Sequence, residues 1–340
     1  MEQARIDAML ITGPENIRYI SGFTGGTDGK LLVADRLVLF TDGRYEKQAQ
    51  LECPDWELIK VASGLDGVAG VCDKFNRVGL ESQHLSHHEY MELSALLNAA
   101  PVPLTGLIEG LRQVKDEAEL DSMRRAAQIG DRVFARVCQM IEPGVTESHV
   151  ANQIAYWLKE EGCSKEAFDT IAVSGENAAL PHGRPGSRRV VPGDMLTLDF
   201  GGFYQGYASD MTRTVIIGQA SNKLCDVYHK LLEAQEIGVS LIRAGIAARE
   251  VDRRVREILR KYALDDYFVH STGHGVGLNV HEEPRLSSAS DAVLQENMVV
   301  TVEPGVYIPG WGGIRIEDTV IVRKDGAEII TRSDKGLLIL

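Results

Sequence analysis

Five residues in the second half of the chain have the types and order needed to hold metal ions: Asp199, Asp210, His274, Glu303 and Glu317. Four carboxylates and one neutral imidazole carry a charge of about −4, which two divalent cations balance. Oxygen-rich ligation with one nitrogen and no sulfur is typical of Mn²⁺, Co²⁺, Fe²⁺ or Zn²⁺ and does not select among them. Two such ions about 3.5–4 Å apart can share a water, lower its pKa and stabilise an oxyanion. The pattern therefore predicts metal-dependent hydrolysis.

The first two carboxylates lie on a predicted β-hairpin, since Asp199 and Asp210 occupy two segments that alternate as strands do. A two-residue turn at residues 204–205 would place them directly opposite each other, whereas a three-residue turn that uses Gly206 would shift the register by one. Facing carboxylates repel each other unless a cation lies between them. Arg213 is the nearby basic residue, but it alternates onto the opposite face. We therefore favour a metal ion over an ion pair.

The other two carboxylates also lie at strand patterns. Glu303 ends the apolar segment 298–302 and precedes Pro304, which interrupts a strand. Glu317 alternates with Ile316, so its side chain belongs to the polar face. An acidic residue in such a place is rarely buried without a partner.

His274 lies in a glycine-rich segment that also contains His270 and His281. Three glycines at alternate positions let the backbone pass close to a neighbour. The lysine and the strand-to-helix context of a phosphate-binding loop are absent, so nucleotide binding is not expected. Beside four converging acids, we expect at least one of these histidines to be a ligand.

The second half of the chain also contains an internal repeat. Residues 141–154 are echoed by residues 242–255, and residues 197–201 are echoed by residues 301–305, in both cases about 100 positions later. Each copy delivers a further carboxylate downstream. A duplicated helix-then-sheet unit would bring four carboxylates to one centre, whereas the alternative is chance similarity between two αβ segments.

The first third of the chain alternates between strand and helix patterns. Three segments predict strands and a fourth predicts a helix: residues 6–12, 29–35 and 35–42, and residues 43–52 for the helix. Ser86 and Glu89 form a capping box that predicts a helix from Glu89 to Leu97. Histidines near its start, including His84, are explained by a solvated helix start, with a metal site as the alternative.

The length of 340 residues exceeds what one hydrophobic core usually serves, which predicts two domains. Residues 111–141 have the pattern of a long charged amphipathic helix, and we place the boundary just before it. The expected organisation is an N-terminal α/β domain over residues 1–112 and a catalytic domain over residues 113–340.

Composition excludes several classes of protein. The net charge of −13 and the absence of a Lys/Arg cluster argue against a nucleic-acid partner. No apolar run approaches the ~18 residues of a membrane span, and the start shows no signal-peptide pattern. We therefore expect no membrane association and a cytoplasmic location. The five cysteines are scattered and form no C-x-x-C pair, so neither a disulfide framework nor a thiolate zinc site is expected.

Beyond these derivations, the motifs resemble those of the metallopeptidases with the pita-bread fold, the relatives of aminopeptidase P, prolidase and methionine aminopeptidase. The motifs are Thr197 to Gly201, Ser209 to Thr214, His270 to His281, Thr301 to Gly305 and Gly313 to Asp318. The resemblance covers the whole chain. The first third, with Thr41 to Tyr45, is similar to the N-terminal domain of aminopeptidase P and prolidase. The resemblance implies a mixed α/β (α+β) fold, in which this domain precedes a pita-bread domain with a pseudo-twofold duplication.

The resemblance also implies roles for individual ligands. Asp199 would chelate one metal, His274 and Glu303 would bind the other, and Asp210 and Glu317 would bridge them. Glu303 would in addition relay protons. Mn²⁺ is the metal we expect first.

Four residues outside the ligand set are implied as site residues. His182, in the segment Ala178 to Gly183, and His281 match catalytic histidines that stabilise the reacting group. His270 and Arg315 match substrate-binding positions. Creatinase shares the architecture but lacks the metal ligands, so their presence here argues against it.

The implied activity is hydrolysis of an N-terminal Xaa-Pro bond in peptides with proline at the second position. Thr41 to Tyr45 resembles aminopeptidase P more than prolidase, which weakly favours longer peptides. The alternative is an Xaa-Pro dipeptidase that accepts dipeptides only, and a more remote one is an interaction module without activity. A homodimer is the family expectation.

Overall fold

The computed structural model of the chain describes residues 4–61 and 65–340. The chain divides into two units, Met1–Arg112 and Gln113–Leu340. Among the described residues, no helix is both long and apolar enough to cross a membrane.

In the described residues of the first unit, six strands form one mixed sheet in the order β4-β3-β2-β1-β5-β6. The strands are β1 (Ala8–Ile11), β2 (Lys30–Val33), β3 (Leu37–Thr41), β4 (Glu57–Lys60), β5 (Arg77–Glu81) and β6 (Ala100–Leu104). The helices are α1 (Pro14–Ser21), α2 (Glu46–Glu52), α3 (Asp66–Cys72), α4 (His87–Leu96) and α5 (Leu107–Arg112). Strand β1 pairs antiparallel with β2 and parallel with β5.

The strands and helices predicted for the first third of the chain are present, although one helix has different bounds. Strands β1, β2 and β3 lie within the three predicted segments, and α2 lies within the predicted helix. Helix α4 begins after Ser86, whose side chain accepts a hydrogen bond from the backbone of Glu89 in a capping box. The helix includes His87 and His88, so it begins two residues earlier than expected.

The second unit combines two helix pairs with antiparallel strands. Its helices are α6 (Glu117–Met140), α7 (Glu147–Glu160), α8 (Asn222–Leu241) and α9 (Ala248–Lys261). Its strands are β7 (Ile171–Ser174), β8 (Met195–Phe200), β9 (Phe203–Tyr204), β10 (Tyr207–Ala208), β11 (Met211–Ile216), β12 (Gly273–Gly275), β13 (Glu282–Leu286), β14 (Val299–Val302), β15 (Gly305–Ile308), β16 (Gly312–Arg315), β17 (Asp318–Arg323) and β18 (Gly326–Ile329). The main sheets have the orders β11-β8-β7 and β13-β12-β14-β17-β18.

The long helix starts later than its amphipathic pattern suggested. Its pattern extends over residues 111–141, but α6 begins at Glu117 because Asp116 caps it. The Asp116 side chain accepts from the backbone of Glu119, and the Glu119 side chain accepts from the backbone of Asp116. These bonds satisfy backbone groups at the start of the helix and fix its first turn.

The internal repeat is confirmed as a structural duplication. Gly144 and Gly245 follow the first helix of each pair with φ of 100° and 87°, a conformation that favours glycine. Their backbone N–H groups donate to Val190 and Leu294, which occupy matching positions in the two halves. In each half the helix pair packs on its own sheet. The hydrophobic core of the first half includes Val150 and Leu198. The hydrophobic core of the second half includes the residues that the repeat places at the same two positions.

The hairpin that carries the first two acids is confirmed, but its predicted register is wrong. Tyr204 pairs with Tyr207, so the turn consists of Gln205 and Gly206 rather than residues 204–205. Both turn residues have positive φ, of 48° and 83°, which is the backbone of a type I′ turn. Thr212 therefore lies opposite Asp199. Because the shift is two residues, Asp210 keeps its face of the sheet.

Candidate metal centre

The five predicted ligands all lie in or next to strands of the two main sheets of the second unit. Asp199 is in β8 and His274 is in β12, while Asp210 and Glu317 directly precede β11 and β17, and Glu303 directly follows β14. All five line one cleft of about 580 Å³.

Strand alternation and glycine explain how two of these side chains reach the cleft. On β8, Leu196, Leu198 and Phe200 pack in the hydrophobic core, so Asp199 points to the opposite face. On β12, a Cβ at Gly273 would lie 1.9 Å from the carbonyl oxygen of Thr301. Only glycine lets β12 approach its neighbour this closely, which identifies the close contact that the glycine-rich sequence predicted.

His274 faces carboxylates on one side and a carbonyl on the other. Its Nδ1 lies 3.0 Å from the carbonyl oxygen of Gly275, to which it must donate. Its Nε2 lies 3.2 Å from Glu303 Oε1 and 3.6 Å from Asp210 Oδ2. In the neutral imidazole this Nε2 carries a lone pair directed at two acceptors. A proton or a cation must therefore occupy the space between them.

Two acceptor atoms in the cleft are buried without a hydrogen-bond partner among the described residues. They are Oδ1 of Asp199 and Oε1 of Glu317. Buried polar atoms are normally paired, and a carboxylate oxygen can be satisfied by a donor or by a cation. The ligand atoms of Asp210, His274 and Glu317 lie within 4.8 Å of one another. These residues therefore fit hard or borderline divalent ions.

Asp199 has a cationic partner that the sequence analysis did not find. The guanidinium of Arg315 donates to Asp199 Oδ2 over 2.6 Å, to Thr212 Oγ1 over 3.1 Å and to the Tyr307 hydroxyl over 2.7 Å. Thr212 in turn donates to Glu317 Oε2 over 2.7 Å. Arg315 lines the cleft as predicted, but its donors are engaged by the protein. Its direct effect is therefore on the positions of Asp199 and Glu317.

Arg213 does lie away from the cleft, as alternation predicted. It is buried and pairs with Asp318 over 2.9 Å.

Burial and mutual repulsion make the cleft unfavourable for so many negative charges. Burial, with repulsion from neighbouring carboxylates, raises the pKa of Asp210 and of Glu317 well above the usual range. Burial also raises the pKa of Asp199, although Arg315 opposes this. These shifts show that the positive groups of the cleft do not balance its buried carboxylates.

In contrast to the other three carboxylates, Glu303 has a lowered pKa, because His274 lies beside it. Burial opposes the ionisation of Glu303, but the hydrogen bond and charge of His274, together with His270 and Arg315, lower its pKa to about 2. Burial disfavours the charged imidazole of His274, yet Glu303 outweighs it and raises the pKa. The pair is therefore held as carboxylate and imidazolium when no other cation is present.

The remaining predicted site residues also line the cleft. His182 and His281 are exposed to the cleft. Partial desolvation by the cleft walls, together with the charge of His274, lowers the pKa of His281 to about 4. Burial lowers the pKa of His270 as well. Its Nδ1 donates to the Ser271 carbonyl and its Nε2 accepts from the Tyr307 hydroxyl, both over 2.8 Å.

Residues that contribute to this region but were not predicted as site residues include Tyr307, Arg184 and Arg285, which line the cleft, and Thr212, which donates to Glu317. Thr212 alternates onto the face of Asp210, so strand periodicity was a usable signal for it. The other three had no comparable signal, because their place in the cleft depends on how separate segments meet.

Comparison with known proteins identifies the family. The profile of metallopeptidase family M24 matches residues 121–324, and that of the creatinase/prolidase N-terminal domain matches residues 1–114. A solved Xaa-Pro dipeptidase from Bacillus anthracis is 41% identical with a TM-score of 0.97, covering 100% of this chain and 96% of that one. A solved X-Pro aminopeptidase from Thermotoga maritima is 36% identical with a TM-score of 0.92, covering 98% of both chains.

A curated relative gives the same family over the same extent. The Xaa-Pro dipeptidase of Pyrococcus furiosus is 35% identical over 340 residues, which is 99% of this chain and 97% of that protein. Both the fold and the enzyme class expected from the sequence are thereby confirmed. The chain belongs to metallopeptidase family M24, as a member with a creatinase/prolidase-type N-terminal domain and a pita-bread catalytic domain.

Proposed function

We propose that this chain hydrolyses the bond between an N-terminal residue and proline, with Xaa-Pro dipeptides as preferred substrates. The observation that carries the proposal is the convergence of four carboxylates and His274 in one cleft, where two buried acceptor atoms have no partner within residues 4–61 and 65–340. The similar Xaa-Pro dipeptidases of Bacillus anthracis and Pyrococcus furiosus support the substrate class. They also favour the dipeptide alternative over the longer peptides to which Thr41 to Tyr45 had pointed.

The residues that would hold the metals are Asp199, Asp210, His274, Glu303 and Glu317. We propose two divalent ions per chain and Mn²⁺ as the native metal, because the donor set is rich in oxygen. Bound divalent ions would supply Lewis acidity, which polarises a carbonyl and lowers the pKa of water.

An Xaa-Pro bond is a tertiary amide without an N–H, so the cleft must bind other groups of the substrate. A free α-amine is cationic and is attracted to the carboxylates of the cleft. Cleavage also requires a proton on the departing proline nitrogen. Glu303 is the group we assign to this step, because a carboxylate in the cleft can accept a proton from water and pass it on.

We propose that the two exposed histidines, His182 and His281, act on the reacting carbonyl. With its pKa near 4, His281 is neutral at neutral pH and can donate one N–H to a developing oxyanion. We assign the same type of contact to His182. His270 is held between Ser271 and Tyr307 and forms a fixed wall of the cleft.

Two arginines favour dipeptides over longer peptides. Arg184 and Arg285 are exposed and line the cleft. Among the described residues, neither guanidinium has a hydrogen-bond or ion-pair partner. A dipeptide presents a carboxylate directly after the proline ring, where a longer peptide presents a neutral amide. An unpaired guanidinium binds the carboxylate more strongly.

The test is a substrate panel measured on the Mn²⁺-loaded protein. Ala-Pro should be hydrolysed with a kcat/KM at least about 10-fold above that for Ala-Pro-Ala. Ala-Ala and N-acetylated Ala-Pro should be poor substrates. Equal turnover of Ala-Ala and Ala-Pro would show that the specificity for proline is wrong, and a preference for Ala-Pro-Ala would restore the aminopeptidase P alternative.

Arginine variants test the origin of the length preference. Arg285→Gln should raise KM for Ala-Pro about 10-fold and leave KM for Ala-Pro-Ala nearly unchanged. Arg249→Gln is the matched control, because Arg249 is an exposed arginine paired with Asp291 on the surface. If Arg184→Gln alone changes KM, the carboxylate lies on the Arg184 side of the cleft.

A homodimer and a cytoplasmic location are two further proposals, which rest on the family resemblance and on the charge and hydropathy of the chain. Sedimentation equilibrium tests the first, and fractionation of the source cells tests the second.

A further inference from the structure

Glu147 is a charged residue inside the second unit that neither the ligand set nor the proposed chemistry uses. It is the first residue of α7 and is 0% exposed. Its Oε1 accepts from the backbone and the hydroxyl of Ser174, over 2.7 and 2.8 Å. Its Oε2 accepts from the backbone of Gly186 over 3.1 Å, and Asn177 Nδ2 lies 3.2 Å from both oxygens. All of these partners are donors, as a carboxylate requires.

The partners of Glu147 lie at the two ends of one segment. Ser174 ends β7, and Gly186 lies twelve residues later; between them is the loop that carries His182 into the cleft. We call residues 175–186 the His182 loop. One oxygen of Glu147 holds the start of this loop and the other holds its end, so a single side chain fixes the distance between the two.

The neighbouring residue strengthens the same anchor. The backbone of Ser148 donates to the Gly186 carbonyl over 3.0 Å, and its hydroxyl donates to the same oxygen over 2.8 Å. The middle of the loop has a further contact, from Arg315 to the Pro181 carbonyl over 3.2 Å. The first turn of α7 thus holds both ends of the loop, and Arg315 holds the residue directly before His182.

The second half of the duplication has a comparable device, at a different position of its second helix. Asp252 on α9 is 0% exposed and accepts from the backbone and the hydroxyl of Thr272, over 3.2 and 2.9 Å. Arg256 pairs with Asp252 over 2.9 Å and donates to the His270 carbonyl over 2.6 Å. Each half therefore uses a buried carboxylate on its second helix to fix a segment that carries a cleft histidine.

We infer that Glu147 is the positioning residue for His182, and that it sets the turnover rate by fixing both ends of the His182 loop. This inference rests on the proposed function, because it takes His182 as a group that acts on the substrate. Displacement of a reacting group by about 1 Å can cost about 100-fold in rate. Asp252 contacts Arg256 and Thr272, which lie outside the His182 loop, so the effect of Glu147 on His182 can be tested separately.

The decisive experiment is a double-mutant cycle on the Mn²⁺-loaded full chain with Ala-Pro as substrate. Glu147→Gln keeps the size of the side chain but turns an N–H₂ group toward donors at one end of the loop. It should lower kcat about 10- to 100-fold with little change in KM or in metal content. In the His182→Ala background, Glu147→Gln should change kcat less than about 3-fold, because its effect passes through His182.

The matched control is Glu176→Gln, the same substitution at an exposed position within the His182 loop. It should keep kcat within about 2-fold of the parent. Hydrogen exchange on the protein as purified gives a readout independent of turnover. Glu147→Gln should speed exchange in residues 175–186 and leave residues 248–261 unchanged.

Each result decides the inference. A kcat of Glu147→Gln within about 3-fold of the parent overturns it. A double variant whose loss of kcat equals the product of the losses in Glu147→Gln and His182→Ala also overturns it, because independent losses would indicate a general effect on the fold. If Glu147→Gln does not fold, Asn177→Ala takes its place, with an expected 3- to 10-fold loss of kcat and the same test of non-additivity; an unchanged kcat again overturns the inference. If the parent does not hydrolyse Ala-Pro, the proposed function fails, while hydrogen exchange still decides whether Glu147 anchors the loop.

Discussion

Each unit of the molecule contains a cluster of two carboxylates and a histidine whose ligand atoms lie within 4.8 Å of one another. In the first unit the residues are Glu81, His84 and Glu109, and in the second they are Asp210, His274 and Glu317. By residue type and spacing the clusters are equivalent. They differ in what surrounds their oxygens.

The first-unit cluster is satisfied by the protein itself. Glu81 Oε2 accepts from the backbone of Thr12 and Gly13 over 2.6 and 2.8 Å, at the start of α1, and Oε1 accepts from Asn16 over 2.7 Å. Glu109 Oε1 lies 2.7 Å from His84 Nε2 and accepts from Asn16 over 2.6 Å. In the second-unit cluster, no donor from the part of the chain that the structure describes reaches Glu317 Oε1. Unpaired acceptors, rather than residue types, therefore distinguish the second-unit cluster from the first.

The largest expected difference between the clusters is in metal affinity. In a Mn²⁺ titration of chelated protein, Glu317→Gln should bind at least about 100-fold more weakly than the parent, since it alters a ligand directly. Glu109→Gln should bind within about 2-fold of the parent. Equal weakening in both variants would mean that the first-unit cluster also binds metal and that the distinction is wrong.

The turnover rate kcat should distinguish Glu303 from Glu109, although each of them contacts a histidine. Glu303→Gln keeps the size of the side chain but loses the carboxylate that moves a proton, so kcat should fall by about 10²–10⁴ with a smaller change in KM. Glu109→Gln is the matched control, because Glu109 contacts His84 as Glu303 contacts His274. A Glu303→Gln kcat within a few-fold of the parent would move the proton relay to another residue.

Local sequence patterns predicted the strands and the positions of the acids well. Alternation placed Asp199 and Asp210 on one face, and a register shift of two residues preserved that face. Alternation could not predict the register itself, because it depends on whether Gln205 and Gly206 adopt positive φ in the turn.

Contacts between distant segments were not predictable from one sequence. Arg315 binds Asp199 across 116 positions, and Glu147 binds Gly186 across 39. Nothing local distinguishes these side chains from solvated charges. For the same reason, the sequence could not distinguish the first-unit cluster from the second-unit cluster. Hydrogen-bond donors that converge in space leave no periodic signal in the chain.

Stability of the metal-free protein should change in opposite directions in the two clusters. Asp210→Asn removes a repelling charge from a group whose pKa is raised well above the usual range by burial and by Glu317, and should stabilise by about 1 kcal/mol. Glu81→Gln replaces one acceptor oxygen by an N–H₂ group, which faces N–H groups that now donate to Glu81. It should therefore lower the free energy of unfolding by about 1–3 kcal/mol. Chemical denaturation in chelator measures both.

Added metal should reverse the first of these effects. Saturating Mn²⁺ stabilises whatever folded state binds it, so the parent should become more stable than Asp210→Asn. If Asp210→Asn is less stable than the parent even in chelator, its carboxylate is satisfied without a cation, and the contrast between the clusters fails.

The smallest expected effect is a pH dependence confined to the first unit. The hydrogen bond to Glu109, opposed by burial, raises the pKa of His84 above 6.5, so its stabilisation is complete below pH 6.5 and is lost as pH rises through the folded value. Chiefly through His84, the pKa of Glu109 is lowered from 4.5 to about 2, so its stabilisation is complete above pH 4.5 and is lost toward pH 2. Both contributions are complete between pH 4.5 and 6.5.

The measurement is the free energy of unfolding of the parent minus that of Glu109→Gln, obtained by chemical denaturation. Since both side chains are partly exposed, we expect this difference to be about 1 kcal/mol between pH 4.5 and 6.5. A difference that is flat from pH 4.5 to 9 would show that His84 stays uncharged in the folded protein and only accepts from Asn16.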